Sequence, residues 1–93
     1  MTPTDGLAAL AACLTTAAFA PQALRVIRTR DTRSISLVMY ALFVAGVALW
    51  AVYGFLTGQL AILLANLVTF CLSGVILVYK AGEVVRRGRA FRD

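Results

Sequence analysis

Two side chains in this sequence, Trp50 and Asn66, have the chemistry to hold a neutral molecule that carries many hydroxyl groups. Such a molecule presents hydroxyls around its rim and aliphatic C–H groups on its two faces. An indole ring covers an aliphatic face, and a carboxamide both donates to and accepts from hydroxyls. The pair therefore suits a neutral polyhydroxylated solute better than it suits an ion.

Each of these residues also has a less specific interpretation. Aromatic residues of membrane helices gather at the two interfaces, so Trp50 and Tyr53 are also typical of an aromatic belt. An amide such as Asn66 can simply join helices, which contributes about 0.6 kcal/mol on average. Position favours a shared site, because Trp50 and Asn66 lie at comparable distances from the short connection at residues 57–59.

The segments that carry these residues have helical periodicity. Steps of three and four residues place side chains on one face of a helix. One such stripe comprises Met39, Phe43, Gly46, Trp50 and Tyr53. A second, polar stripe comprises Asn66, Thr69 and Ser73.

Three apolar runs, at about residues 7–24, 35–56 and 60–79, account for most of the 93 residues. The chain is 61% hydrophobic and 14% charged, and the runs contain no Asp, Glu or Lys. Each run has about the 17–25 residues that cross a bilayer as a helix. The sequence therefore predicts an all-α membrane protein, with residues 1–93 forming a single domain of three transmembrane helices. The short connection makes the second and third helices an antiparallel hairpin.

Several function classes are excluded by composition. The chain has no His, and its two Cys residues alone make no zinc site, so we expect no metal and no cofactor. No nucleophile–base pair is present, which argues against an enzyme. The net charge of +5 does not indicate nucleic-acid binding, because the cations flank apolar runs and form no basic face.

The cations define the orientation in the membrane. They lie between the first two runs and after the third: Arg25, Arg28, Arg30, Arg33, Lys80, Arg86, Arg87, Arg89 and Arg92. The positive-inside rule then places the N-terminus outside and the basic tail, residues 80–93, in the cytoplasm. The expected role of that tail is orientation and contact with anionic lipid of the bilayer; a disordered end is the alternative.

Pro21 interrupts the first apolar run, and Gln22 follows it. A proline inside a helix removes one hydrogen-bond donor and clashes with a carbonyl one turn earlier, here that of Ala17. The freed carbonyl needs water or Gln22 as a partner. A hinge and a tolerated kink are equally compatible with Pro21 alone. In the loop that follows, Asp31 and Ser34 are the candidate N-caps of the second helix.

The ordered set of motifs resembles that of a known family over about residues 7–80. The chain is similar to the SemiSWEETs, bacterial half-size relatives of the SWEET sugar transporters in the PQ-loop superfamily. The matching pieces are TTAAFAPQ at 15–22, TRSIS at 32–36, Met39-Tyr40, LWAVYG at 49–54 and LANLVT at 64–69. The ordered set is more specific than the Pro-Gln pair alone.

The resemblance implies that each chain forms a triple-helix bundle in the bacterial inner membrane. It also implies a parallel homodimer with a sugar pathway on the two-fold axis. The packing of helices supports the pairing independently. Three helices packed about 8–10 Å apart fill their own centre with side chains, whereas two such bundles can enclose a cavity between them.

By the same resemblance, Trp50 and Asn66 correspond to the substrate-contacting pair and Tyr53 to the outer gate. Met39 and Phe43 correspond to the inner gate.

The resemblance further assigns the hinge of the first helix to Pro21, beside Gln22. One departure concerns the outer gate, where family members often carry an arginine and an acid. Thr57 and Gln59 stand there in this chain. We expect an outer gate that opens more easily.

No carboxylate, His or Lys lies within the three runs, and such residues usually mark proton or sodium coupling. The sequence therefore predicts an uncoupled facilitator that moves mono- or disaccharides by alternating access. A small multidrug exporter would need a membrane carboxylate, and a PQ-loop carrier of amino acids would need a charged group. The alternatives are a structural or pore-forming membrane subunit and a PQ-loop carrier of another small solute.

Overall fold

Three long helices make up the fold in a computed structural model, which describes residues 2–92 and the side chains as far as residue 88. The helices are α1 (Pro3–Thr29), α2 (Leu37–Thr57) and α3 (Leu60–Arg92). All three are long and apolar enough to cross a membrane. The prediction of an all-α membrane protein with three transmembrane helices is confirmed. Each of α1 and α3 extends beyond the apolar run that predicted it.

Local sequence sets the helix ends. The hydroxyl of Thr2 accepts from the backbone of Asp5, and the carboxylate of Asp5 accepts from the backbone of Thr2, which is a capping box. The prediction that Asp31 or Ser34 caps α2 is wrong. Ser36 is the N-cap, because its hydroxyl accepts from the Met39 N–H, whereas Asp31 pairs with the Arg33 guanidinium.

The third helix lies between the other two. Within the described chain, α3 contacts both α1 and α2, and the backbones of α1 and α2 make no close contact with each other. The extents of the protein, 59 × 24 × 14 Å, show that the helices form a slab. The short turn at Gly58 makes α2 and α3 neighbours, so α1 occupies the remaining flank of α3.

Close approach of α2 and α3 depends on Gly54. A Cβ atom added to this residue would lie 2.7 Å from the backbone nitrogen of Leu63 and 3.0 Å from its Cα. Only a glycine permits this separation of the two backbones. Gly58, at the C-cap of α2, has φ of 71°, a left-handed conformation that glycine adopts without strain.

The part of α3 that follows its apolar run holds the loop between α1 and α2. Lys80 is only 6% exposed, and its ammonium donates to the backbone carbonyl of Thr32 at 2.9 Å. The hydroxyl of Thr32 donates to the carboxylate of Glu83, which also pairs with Lys80 at 3.4 Å and Arg87 at 2.9 Å. The first residues of the basic tail therefore continue the helix and fasten the loop, in addition to carrying charge.

Candidate functional site

A cavity of about 390 Å³ opens between α1 and α2, with α3 as its floor. Its volume falls within the range of small-molecule sites. The lining residues are Ala12, Thr15, Thr16, Phe19, Phe43, Val47, Trp50, Ala65, Asn66 and Thr69. Because α3 separates α1 from α2, the groove above it stays open, and all three helices contribute side chains to one site. We call this site the central cavity.

The structure brings Trp50 and Asn66 into the wall of the same cavity. Trp50 is 57% exposed, so its indole is available to a second molecule at the surface of the slab. Tyr53 lies one turn farther out and meets the Trp50 ring edge-on, with 5.4 Å between the ring centroids and 82° between the planes. This contact restricts the orientation of the indole.

Asn66 is positioned by its own helix. Its Nδ2 donates to the backbone carbonyl of Ile62 at 2.8 Å. The interpretation of Asn66 as a link between helices requires a partner on another helix, whereas this hydrogen bond stays within α3. With the amide nitrogen bound to the backbone, the carbonyl oxygen is the atom suited to accept a hydrogen bond from a hydroxyl in the cavity.

The polar stripe of α3 divides between two environments. Thr69 lines the central cavity together with Asn66, and its hydroxyl donates to the Ala65 carbonyl at 2.9 Å. Ser73 is fully buried instead, and its hydroxyl donates to the Thr69 carbonyl at 2.6 Å. Shared helical spacing therefore correctly places these residues on one inner face, but only the first two reach the cavity.

The two residues predicted as inner gate occupy different surroundings. Phe43 lines the central cavity, and its ring approaches that of Phe19 across the groove, with 5.7 Å between the centroids. This pair bridges α1 and α2 on the side of Trp50 that lies toward the start of α2. Met39 lies one turn nearer the start of α2, is 70% exposed and is not among the residues that line the cavity. The gate roles of both residues remain predictions.

The predicted hinge lies within a continuous helix. Helix α1 passes through Pro21 without interruption, and Pro21 and Gln22 are both exposed, whereas the next residue, Ala23, is 1% exposed against the rest of the protein. The side chain of Gln22 forms no hydrogen bond within the described part of the chain. Pro21 follows Phe19 by two residues, so a bend at this point would move the α1 side of the Phe19–Phe43 pair.

Sequence reasoning missed the α1 wall of the cavity. Thr15, Thr16 and Phe19 line it, and the Thr15 hydroxyl donates to the Ala11 carbonyl at 3.0 Å. Two adjacent hydroxyl residues in an alanine-rich span, with an aromatic residue three and four positions later, were the available signal. It was not decisive, because helical spacing does not indicate which partner a face meets.

Fold and site together define a small integral membrane protein with a solute-sized groove. The family described as PQ loop repeat matches residues 4–63. Three relatives named "Sugar transporter SemiSWEET" are similar to this chain. The relative from Leptospira biflexa is 53% identical over 74 residues, which is 80% of this chain and 87% of that relative. The one from Escherichia coli is 50% identical over 73% of this chain and 76% of its own length.

The third relative, from Bradyrhizobium diazoefficiens, is 49% identical over 75% of this chain and 81% of its own length. The crystal structure of a SemiSWEET in the inward-open conformation has a TM-score of 0.90 at 38% identity, with both chains fully covered. That of a bacterial homologue of SWEET transporters has a TM-score of 0.69 at 32% identity, covering 86% of this chain and 96% of the other. The chain belongs to the SemiSWEET family of PQ-loop proteins, and the resemblance seen in its motifs is confirmed.

Proposed function

We propose that this protein transports mono- or disaccharides across the inner membrane as a parallel homodimer, uncoupled from any ion gradient. The observation that carries the proposal is the meeting of Trp50 and Asn66 in one cavity of about 390 Å³. An indole face and an amide at one level match the aliphatic faces and the hydroxyls of a sugar. The names of the three relatives, each a sugar transporter, support the same substrate class.

The open groove supports the homodimer. A single slab leaves the cavity uncovered on one side, and the stripe on α2 that borders it is exposed: Met39 at 70%, Phe43 at 42%, Trp50 at 57% and Tyr53 at 46%. Two slabs that face each other across a two-fold axis would cover both grooves. Each sugar would then contact a Trp50 and an Asn66 from each protomer.

The remaining roles follow from position along the pathway. Tyr53, on the outer side of Trp50, would close the outer mouth. Phe43 and Met39, on the inner side, would close the cytoplasmic mouth, with Phe43 already in contact with Phe19. A bend at Pro21, beside Gln22, would carry Phe19 away from Phe43 and open that mouth.

The charges support one orientation. The Thr32–Glu83 and Lys80–Thr32 hydrogen bonds join the two cationic segments at one end of the slab. At the opposite end, a cavity is lined by Asp5 together with residues 57–62, which carry no cation. The positive-inside rule places the basic end in the cytoplasm and the N-terminus outside.

Sugar uptake into proteoliposomes tests the proposal. We expect saturable uptake of at least one member of a radiolabelled panel of mono- and disaccharides, and loss of that uptake in Trp50→Ala. Phe55→Ala is the matched control, because Phe55 lies on the same helix, is 71% exposed and does not line the central cavity. Chemical cross-linking should show that both variants still form dimers.

Two results would contradict the proposal. Absence of saturable flux for the whole panel would favour a structural or pore-forming subunit, or a carrier of another small solute. Equal loss of uptake in Trp50→Ala and Phe55→Ala would mean that the aromatic residues act through packing and not through the substrate.

A further inference from the structure

A second cavity, of about 270 Å³, lies at the basic end of the slab and away from the central cavity. It is lined by Arg30, Val78, Tyr79, Gly82 and Arg86. Arg30 is the C-cap residue that follows α1, and the other four come from α3, so the end of α1 and one face of α3 form the site. We call it the interfacial cavity, because it lies where the apolar run of α3 ends.

Two guanidinium groups converge on this cavity. The guanidinium carbon of Arg30 lies 5.2 Å from the centre of the Tyr79 ring, a cation–π contact. The Arg86 guanidinium folds back along α3, since a Cβ atom added at Gly82 would lie 3.9 Å from its Nη1. The absence of a side chain at Gly82 leaves the space between these groups open.

The neighbouring acids are engaged elsewhere. Arg33 binds the carboxylate of Asp31 at 3.0 Å, while Glu83 binds Lys80, Arg87 and the Thr32 hydroxyl. Among the described residues, neither Arg30 nor Arg86 forms a salt bridge. The residues that line the interfacial cavity thus include two cations and no acid, and an anion bound there would neutralise this positive charge.

The wall of the interfacial cavity formed by Val78 and Tyr79 is suited to contact with lipid hydrocarbon. Val78 is 69% exposed on the outer surface of α3, within the predicted span, and Tyr79 stands at the end of that span, where aromatic residues meet the headgroup region. A ligand complementary to all of these lining residues would place a phosphate between the two arginines and an acyl chain along Val78.

We propose that the interfacial cavity is a binding site for the phosphate headgroup of an anionic phospholipid in the cytoplasmic leaflet. Basic pockets between membrane helices on that side recognise such headgroups. Arg30 directly follows α1, so a lipid held by Arg30 and Arg86 would join the inner end of α1 to α3. The proposal rests on the orientation given above and does not depend on the identity of the transported solute.

Native mass spectrometry of the delipidated, detergent-purified protein tests the proposal by titration with phosphatidylglycerol or phosphatidylcholine. We expect preferential binding of phosphatidylglycerol, and affinity for it about tenfold or more lower in Arg30→Gln/Arg86→Gln. Arg25→Gln/Arg28→Gln is the matched control, since it removes the same charge from exposed residues that do not line the cavity. Arg30→Lys/Arg86→Lys should retain part of the affinity.

A second pair of variants separates a defined site from diffuse charge. Gly82→Leu fills the cavity without changing any charge and should also weaken phosphatidylglycerol binding. Gly88→Leu is its control, because no atom lies within 4 Å of a Cβ atom added there, and it should bind as the parent protein does.

Three outcomes would overturn the proposal. If the two double-glutamine variants lose affinity for phosphatidylglycerol equally, or if Gly82→Leu binds it as the parent protein does, the lipid is attracted by overall charge and not by the cavity. Equal binding of phosphatidylcholine would remove the requirement for an anion. Displacement of the lipid by millimolar inorganic phosphate would assign the cavity to a soluble anion. None of these readouts uses sugar flux, so they are independent of the outcome of the uptake assay.

Discussion

At the residue scale, the central cavity pairs side chains that are held by their own helices. Trp50 rests against Tyr53, and Asn66 is bonded to the carbonyl of Ile62. Neither side chain has to rearrange its neighbours to meet a solute, which limits the entropic cost of binding. The cavity presents an apolar face from α2 and polar groups from α3, and this division matches the two kinds of surface on a sugar.

Asn66→Leu should raise the KM for sugar by about tenfold, because one hydrogen bond to the solute is lost. Ser73→Ala is the control on the same stripe of α3, since Ser73 is fully buried and bonds to the Thr69 carbonyl. Its KM should stay unchanged. Uptake kinetics and thermal unfolding of both variants provide the measurement. If Asn66→Leu lowers thermal stability and leaves KM unchanged, Asn66 has a structural role only.

At the element scale, α3 organises the molecule. It supplies the floor of the central cavity, approaches α2 through Gly54 near the turn at Gly58, and fastens the loop between α1 and α2 through Lys80. Helices α1 and α2 are thus each anchored to α3 and are connected to each other across the groove by side chains such as Phe19 and Phe43. This arrangement allows α1 to move relative to α2 without breaking a backbone contact between them.

Gly54→Ala should destabilise the protein by about 1–3 kcal/mol, because the new methyl group would overlap the backbone of Leu63 and separate α2 from α3. Gly74→Ala is the matched control on α3, where an added Cβ meets no atom within 4 Å, and it should be neutral or slightly stabilising. Thermal unfolding in detergent compares the two. Equal stability of both variants would contradict the close packing at Gly54.

The turn between α2 and α3 should form a weak outer gate. The Thr57 hydroxyl donates a hydrogen bond to the Tyr53 carbonyl of its own helix at 2.7 Å, so this residue adds no charged contact across the mouth. We expect spin labels at Leu56→Cys, in a Cys13→Ser/Cys71→Ser background, to give a broad distance distribution across the dimer. Thr57→Arg/Gln59→Asp should shift the population toward short distances by about tenfold. A single short distance in the parent protein would contradict the prediction.

At the scale of the whole molecule, most of the surface of one protomer must be covered by something else. The buried hydrophobic residues are only Ala23, Val47, Ala51 and Ile76 among those described. Lipid can cover the surface of the slab that faces away from the groove, because lipid tails are as apolar as the side chains exposed there. The groove differs, since the carbonyl oxygen of Asn66 and the hydroxyl oxygens of the threonines that line it can still accept hydrogen bonds from water, a solute or a second protomer.

Uptake should be insensitive to pH between about 5.5 and 8 and to collapse of a proton gradient, because none of the residues lining the central cavity is titratable. Asp31, in the loop, does not alter this expectation. Its hydrogen bonds with the Arg33 side chain lower its pKa to about 2. Because the pKa of Asp31 is depressed in the folded protein, the Asp31–Arg33 pair contributes fully to folding stability above the pKa of Asp in the unfolded chain, about 3.9. This contribution is lost as the pH falls through about 2.

Radiotracer uptake across a pH series, with and without a protonophore, provides the measurement for this prediction. Leak into protein-free liposomes is the control. Uptake that falls severalfold when the proton gradient is removed would mean that the transporter is coupled, and the proposal of a facilitator would then be wrong.

The sequence alone determined the three membrane spans, the family and the stripes of residues on each helix. Span length and helical spacing are local properties, so the positions of Trp50, Asn66 and the cations along the chain were sufficient. The sequence did not determine the order of helices, the contribution of Thr15, Thr16 and Phe19 to the cavity, or the burial of Lys80. These depend on which faces meet. Only the tertiary structure decided that α3 lies in the middle, because apolar stripes of similar character allow more than one packing order.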